Sequence, residues 1–146
     1  MVKSSKIDVI TEPLASSFWL AILHKVLLQS EEHDREGILK ELGKLMAKTF
    51  PMSPVKTLQQ LESQMNAHGS DLGLGMIQLT AQQQALAIEQ TRNGTCEYDF
   101  DQPLAVLMAE TYLVWMKQQG ANDSHITVSI ESVSKDKMTF LFHVIR

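Results

Sequence analysis

Apolar residues recur along the chain in two periods, and the change from one to the other divides it into elements. Phe18, Trp19, Leu20, Ile22, Leu23, Val26, Leu27 and Leu28 predict a first helix, capped by Ser16 or Ser17 and running to about Gln29. These side chains cover nearly the whole circumference, more than a surface helix of a small monomer can hide. A second partner for that helix is expected. Asp34 is the expected cap of a second helix, in which Ile38, Leu42, Leu45 and Met46 recur at helical spacing with Lys40, Glu41, Lys44 and Lys48 outside. This predicts an amphipathic surface helix ended by Phe50-Pro51. Ser53-Pro54 is the expected start of a third helix, whose stripe is Val55, Leu58, Leu61 and Met65. Gly69, Gly73 and Gly75 are expected to close it.

From Met76 the period shortens. Ile77 and Leu79 alternate with Met76, Gln78 and Thr80, which predicts a strand. The stretch 81–91 mixes helix-favouring alanine and glutamine with an alternating Leu86 and Ile88, and is read as the hairpin partner. Asp101 as cap and Pro103 in the first turn open a helix ending at Gly120, with Leu104, Leu107, Met108, Val114 and Trp115 inward. Ile126, Val128 and Ile130 alternate with polar neighbours, and Ser134 to Lys137 forms a turn into the final strand. That strand sets Met138, Phe140, Phe142 and Val144 on one side and Leu141 and Ile145 on the other, so both faces are expected to be covered. The order predicts an α+β fold: amino-terminal helices, a β-hairpin, a long helix and a carboxy-terminal hairpin, the helices packed on an antiparallel sheet. Residues 1–15, interrupted by Pro13, read as an extended arm, and residues 16–146 as a single domain.

Composition narrows the partners. The 146 residues carry 13 basic and 17 acidic side chains, a formal charge of -4, with the basic residues scattered singly. Nucleic acid is therefore not an expected partner. The run from Phe18 to Leu28 is broken by His24 and Lys25, short of the roughly 20 residues that span a bilayer. It also lacks the flanks of an export signal, and with a single cysteine, Cys96, this favours the cytoplasm.

Candidate chemistry is sparse. The five histidines, at 24, 33, 68, 125 and 143, share no metal-ligand spacing, and no metal or cofactor is expected. Glu31 to Glu36, with His33 among them, reads as a solvated connection between helices. The segment Gly69 to Gly75 follows a helix and precedes a strand, the reverse of a phosphate loop. Cys96 lies beside Glu97 and Asp99, whose charge disfavours a thiolate. Trp19, Tyr112 and Trp115 could stack on sugars, but on helices they fit a core or subunit contact better. No catalytic residue is assigned.

The order of segments nevertheless resembles a family. Phe18 to Leu28, the run Ile38-Leu39-Lys40-Glu41-Leu42-Gly43-Lys44-Leu45-Met46-Ala47, the run Leu58 to Ala67 with Gly73-Leu74-Gly75-Met76, and Gln84-Ala85-Leu86-Ala87-Ile88 are similar to successive segments of the D-subunit family of bacterial cellulose synthase. The likeness spans residues 18 to 119. It implies a non-catalytic accessory subunit without cofactors, assembled as an octamer, a tetramer of dimers, that promotes ordered glucan export and cellulose crystallisation. The implied partners are copies of itself, other cellulose synthase subunits or a scaffold protein, and glucan chains. It would lie on the cytoplasmic side of the inner membrane without crossing it, or alternatively in the periplasm. The expected oligomer interface comprises Phe18, Trp19, Ile22, Leu23, Val26, Leu141 and Ile145. The residues 1–15 match no family motif and lack aromatic sugar platforms, so no glucan-binding residue is assigned. The rival from another class is a sensor domain that encloses a small ligand between helices and sheet; an acyl-transfer enzyme using Cys96 or His33 is a third.

Overall fold

The computed structural model describes residues 22–91, 101–120 and 126–144. Among these, residues 22–29 form helix α1, and a 3-10 turn, Glu32–Asp34, leads into α2, Arg35–Thr49. Helix α3 spans Leu58–Leu72, strands β1 and β2 span Met76–Gln82 and Ala85–Thr91, and α4 spans Asp101–Gln118. Strands β3, Ile126–Val133, and β4, Lys137–Val144, complete the described elements. The expected arm at residues 1–15 lies outside the described residues.

The four strands form one antiparallel sheet in the order β1-β2-β4-β3. The α+β fold is as the alternation of periods predicts. The register sets Ile77 and Leu79, Leu86 and Ile88, Met138, Phe140 and Phe142, and Ile126 and Val128 on one face. That face closes on α3 and α4 around a core that includes Leu61, Met65, Leu104, Leu107, Met108, Tyr112 and Trp115.

Helix α4 is the centre of the molecule. It buries Leu104, Ala105, Leu107, Met108, Ala109, Thr111, Tyr112 and Trp115 because the sheet lies on one side of it and α2 on another. The α2–α4 crossing is close because Gly43 has no side chain: a Cβ there would overlap the Leu107 carbonyl oxygen and stand 2.9 Å from Glu110 Cβ. Thr111 uses that proximity, donating through Oγ1 to the Gly43 carbonyl at 3.1 Å and the Leu107 carbonyl at 3.0 Å.

Both ends of α3 differ from expectation, as does the cap of α2. Helix α3 begins at Leu58 rather than at Ser53-Pro54, its cap being Thr57, whose side chain accepts from the Gln60 amide at 3.1 Å. The backbone of Ser53 is held outside the helix: its amide donates to Gln64 Oε1 at 2.9 Å, and its carbonyl accepts from the Gln64 and Gln119 side chains. At its other end α3 continues past Gly69, which is buried, and stops at Gly73. Gly73 takes the left-handed conformation at φ 70°, and the Leu74 amide closes the turn on the Gly69 carbonyl at 2.8 Å. Asp34 precedes α2 but makes no side-chain cap, because it already sits in the helical region at the end of the 3-10 turn.

Candidate functional site

Four regions concentrate the polar or exposed apolar side chains from which a function could be built. The first is buried. Gln90, on the inner face of β2, donates from Nε2 to the Leu74 carbonyl at 3.0 Å and accepts at Oε1 from the Tyr112 hydroxyl at 2.5 Å. Both residues are inaccessible to solvent, and burial raises the Tyr112 phenol well above its ordinary range. Tyr112 also meets Phe140 edge-on at 5.2 Å between ring centres. Trp115 Nε1 donates to the Phe50 carbonyl at 2.9 Å. Both aromatic residues thus belong to the core, and neither presents a face to a sugar; Trp19 lies outside the described residues.

The second region is the edge of the sheet at β1. The Asn66 side chain, on α3, accepts from the Ile77 amide at 2.7 Å and donates to the Ile77 carbonyl at 2.8 Å, as a neighbouring strand would. One helical turn earlier Glu62 accepts from the Leu79 amide at 2.8 Å. Helix α3 therefore seals this edge against strand addition.

The third is the opposite sheet face, where Met76, Thr80, Ala87, Glu89, Thr139, Leu141 and His143 lie. Glu89 and Lys137 pair across it at 3.7 Å. On this face Ala87, Glu89, Thr139 and Leu141 are each half-buried.

The fourth is the apolar surface of the first two helices. In α1, Leu23 and Leu27 enter the core, while Ile22 and Leu28 are 50% and 66% exposed and Val26 is also exposed. Leu45 of α2 is 59% exposed. Of the residues expected at an oligomer interface, Ile22 and Val26 lie on the free side of α1 and Leu141 on the opposite sheet face. Leu23, by contrast, is 3% exposed and packs within its own chain. Phe18, Trp19 and Ile145 lie outside the described residues.

The remaining candidates place plainly. His33 and Asp34 stand 3.4 Å apart on an exposed connection. His68 packs between Phe50 and Trp115, its Nε2 3.0 Å from the Pro51 carbonyl. The glycine segment after α3 is a helix cap whose Leu74 is buried. Cys96 lies outside the described residues. Among the described residues no group of three His, Cys, Asp or Glu side chains converges as metal ligands would, and no helix is long and apolar enough to cross a membrane. Two pockets among the described residues are open grooves, one lined by Pro54, Val55, Gln60, Ser63, Gln64 and Ala67 and one by Asp34, Gly37, Ile38, Glu41 and Leu42. Tyr112 and Trp115 of α4 pack with Phe140 of β4 in the core between helix and sheet.

The fold therefore defines a small α+β subunit whose internal polar groups serve its own architecture and whose free chemistry is on its helix and sheet surfaces. The family model for the cellulose synthase D subunit matches residues 9–143, and the chain belongs to that family. No match is found among curated proteins. Family membership gives it an accessory role in cellulose synthesis.

Proposed function

We propose that this protein is a non-catalytic accessory subunit of a bacterial cellulose synthase system that assembles into a homo-octamer, a tetramer of dimers, and as a scaffold promotes ordered glucan export and cellulose crystallisation. The family match over residues 9–143 carries this reading. The exposed Ile22, Val26 and Leu28 support the assembly part, since each free apolar side chain gains about 25 cal/mol for every Å² that a partner removes from water. The proposed contact combines Phe18, Trp19, Ile22 and Val26 with Leu141 and Ile145, while Leu23 holds α1 onto its own subunit. The partners are copies of the chain and other synthase subunits, and the single cysteine fits a position beside the synthase on the cytoplasmic side of the inner membrane.

Light scattering tests the assembly. The wild-type chain is expected at eight times its single-chain mass, and Ile22→Asp at a smaller mass with unchanged far-ultraviolet circular dichroism, because a charge is costly in a desolvated contact. A wild-type chain that stays a monomer at every concentration would refute the reading. Leu23→Asp is expected to unfold the chain instead. In cells that make cellulose, loss of the gene should lower the yield or order of the polymer, and Ile22→Asp should reproduce that loss.

A further inference from the structure

We infer that helix α2 carries a self-complementary contact surface on which α2 of a second copy lies antiparallel. The inference rests on the homo-oligomeric reading above and assigns one of its contacts to residues outside the α1 and β4 set.

Helix α2 has two apolar stripes. Leu39, Gly43 and Ala47 form the buried one, against α4. Ile38, Leu42 and Leu45 follow one another at three- and four-residue spacing beside it; Leu42 is half-buried against the subunit's own core, Ile38 is half-buried and Leu45 exposed. Ile38 and Leu42 line an open groove of about 590 Å³ together with Asp34, Gly37 and Glu41.

The flank of this second stripe is ordered by charge. Asp34, Gly37, Glu41, Lys44 and Lys48 recur at spacings of three and four, so they form one row along the helix. The row is acidic towards its start and basic towards its end. Glu41 and Lys44 already pair at 3.6 Å near its centre, and Asp34 and Lys48 occupy its two ends. Laid antiparallel on a two-fold axis between Glu41 and Leu42, a second copy brings its Leu45 to Ile38 and its Lys48 within one residue of Asp34. The complement of the surface is thus its own inverse, which is the condition a two-fold contact imposes.

Gly37 is a second, independent indication. It lies inside a helix, where glycine is less stable than alanine, yet a Cβ built on it meets nothing within 4 Å. Nothing among the described residues of the subunit requires its small size. A helix crossing over this row does, because a glycine there lets a second backbone approach closely.

Two charge-reversed proteins test the contact. Lys44→Glu with Lys48→Glu makes the row acidic throughout, and Asp34→Lys with Glu41→Lys makes it basic throughout. Each alone is expected to lose association, its light-scattering mass falling to half or less of the wild-type value. Mixed in equal amounts they should recover it, because each row then faces its opposite at both ends. Gly37→Gln, which the isolated subunit accommodates, is expected to weaken association roughly tenfold with unchanged circular dichroism. It also decides the question if a reversed protein fails to fold. A wild-type oligomer whose mass survives both reversals or Gly37→Gln overturns this inference and leaves the oligomeric reading standing. Loss without recovery on mixing also overturns it, since a different occupant, such as the chain's own first residues, then covers the groove. A monomeric wild type removes both readings together.

Discussion

The two interior glycines of α2 should respond to alanine with opposite signs, although they are six residues apart in one helix. At Gly37 the added methyl meets nothing within 4 Å, so Gly37→Ala gains only the better helical preference of alanine, about 0.5–1 kcal/mol. At Gly43 the methyl would overlap the Leu107 carbonyl oxygen and stand 3.3 Å from the Thr111 amide nitrogen. Both are backbone atoms of α4, so no rotamer change makes room and the helices must part. Overpacking of this kind costs roughly 1–3 kcal/mol. Parting also lengthens the buried bond from Thr111 Oγ1 to the Gly43 carbonyl, 3.1 Å in the wild type, whose net worth is about 0.5–1.5 kcal/mol because that carbonyl keeps its helical partner. Thr111 keeps its second acceptor, the Leu107 carbonyl, which places the loss towards the lower end. After the gain in helix preference, Gly43→Ala is expected to destabilise by about 1–3 kcal/mol, a fall in Tm of roughly 3–10 °C for a chain of this size. Urea unfolding followed by circular dichroism, with dilute protein so that association adds nothing, measures both variants. Equal midpoints for Gly37→Ala and Gly43→Ala would refute the close α2–α4 crossing.

Two further substitutions test the polar framework. Tyr112→Phe leaves Gln90 Oε1 without its donor in the core and should cost about 1–3 kcal/mol, measured by the same unfolding curves. Because burial raises the Tyr112 pKa in the folded state, its contribution is present below the ordinary tyrosine pKa of about 10 and is lost as pH rises above it. Stability should therefore fall above that pH in the wild type and less steeply in Tyr112→Phe. Asn66→Ala opens the β1 edge and should cost about 1–2 kcal/mol, with faster hydrogen exchange at the Ile77 amide; unchanged exchange there would show that α3 does not seal the edge.

What the sequence made legible follows from how local each cause is. Helix α4 was readable because Pro103 in its first turn and Gly120 beyond its last are local signals, and the β1–β2 hairpin because Ile77, Leu79, Leu86 and Ile88 alternate. Its turn was less so: Gln84 takes φ 61° without being glycine. The start of α3 was not legible, since the groups that hold Ser53 outside the helix come from Gln64 and from Gln119, 66 residues away. Nor could periodicity show that Asn66 and Glu62, polar positions on an amphipathic helix, serve a strand edge rather than solvent. In α1 the stripes Leu23–Leu27 and Ile22–Val26 are equally apolar and one residue apart, so only the tertiary structure distinguishes the inward pair from the free pair.

That distinction bears on how copies of the subunit can meet. A sheet can grow by adding strands at its edges, but α3 occupies the β1 edge through the amides of Ile77 and Leu79. At the other edge β3 carries an irregularity between Ile130 and Ser132, which places Glu131 out of register with β4. A bulge with a charged residue is a common guard against strand addition. With the edges so protected, the helix surfaces and the sheet face are left to receive a second copy, and the exposed apolar side chains Ile22, Val26, Leu28, Leu45 and Met76 lie there. Leu23, Leu27, Leu39, Gly43 and Ala47 hold α1 and α2 to their own subunit, and the proposed assembly assigns the neighbouring apolar side chains to contacts between copies. A substitution in the first set should lower stability before it alters mass, and one in the second should lower mass without altering stability.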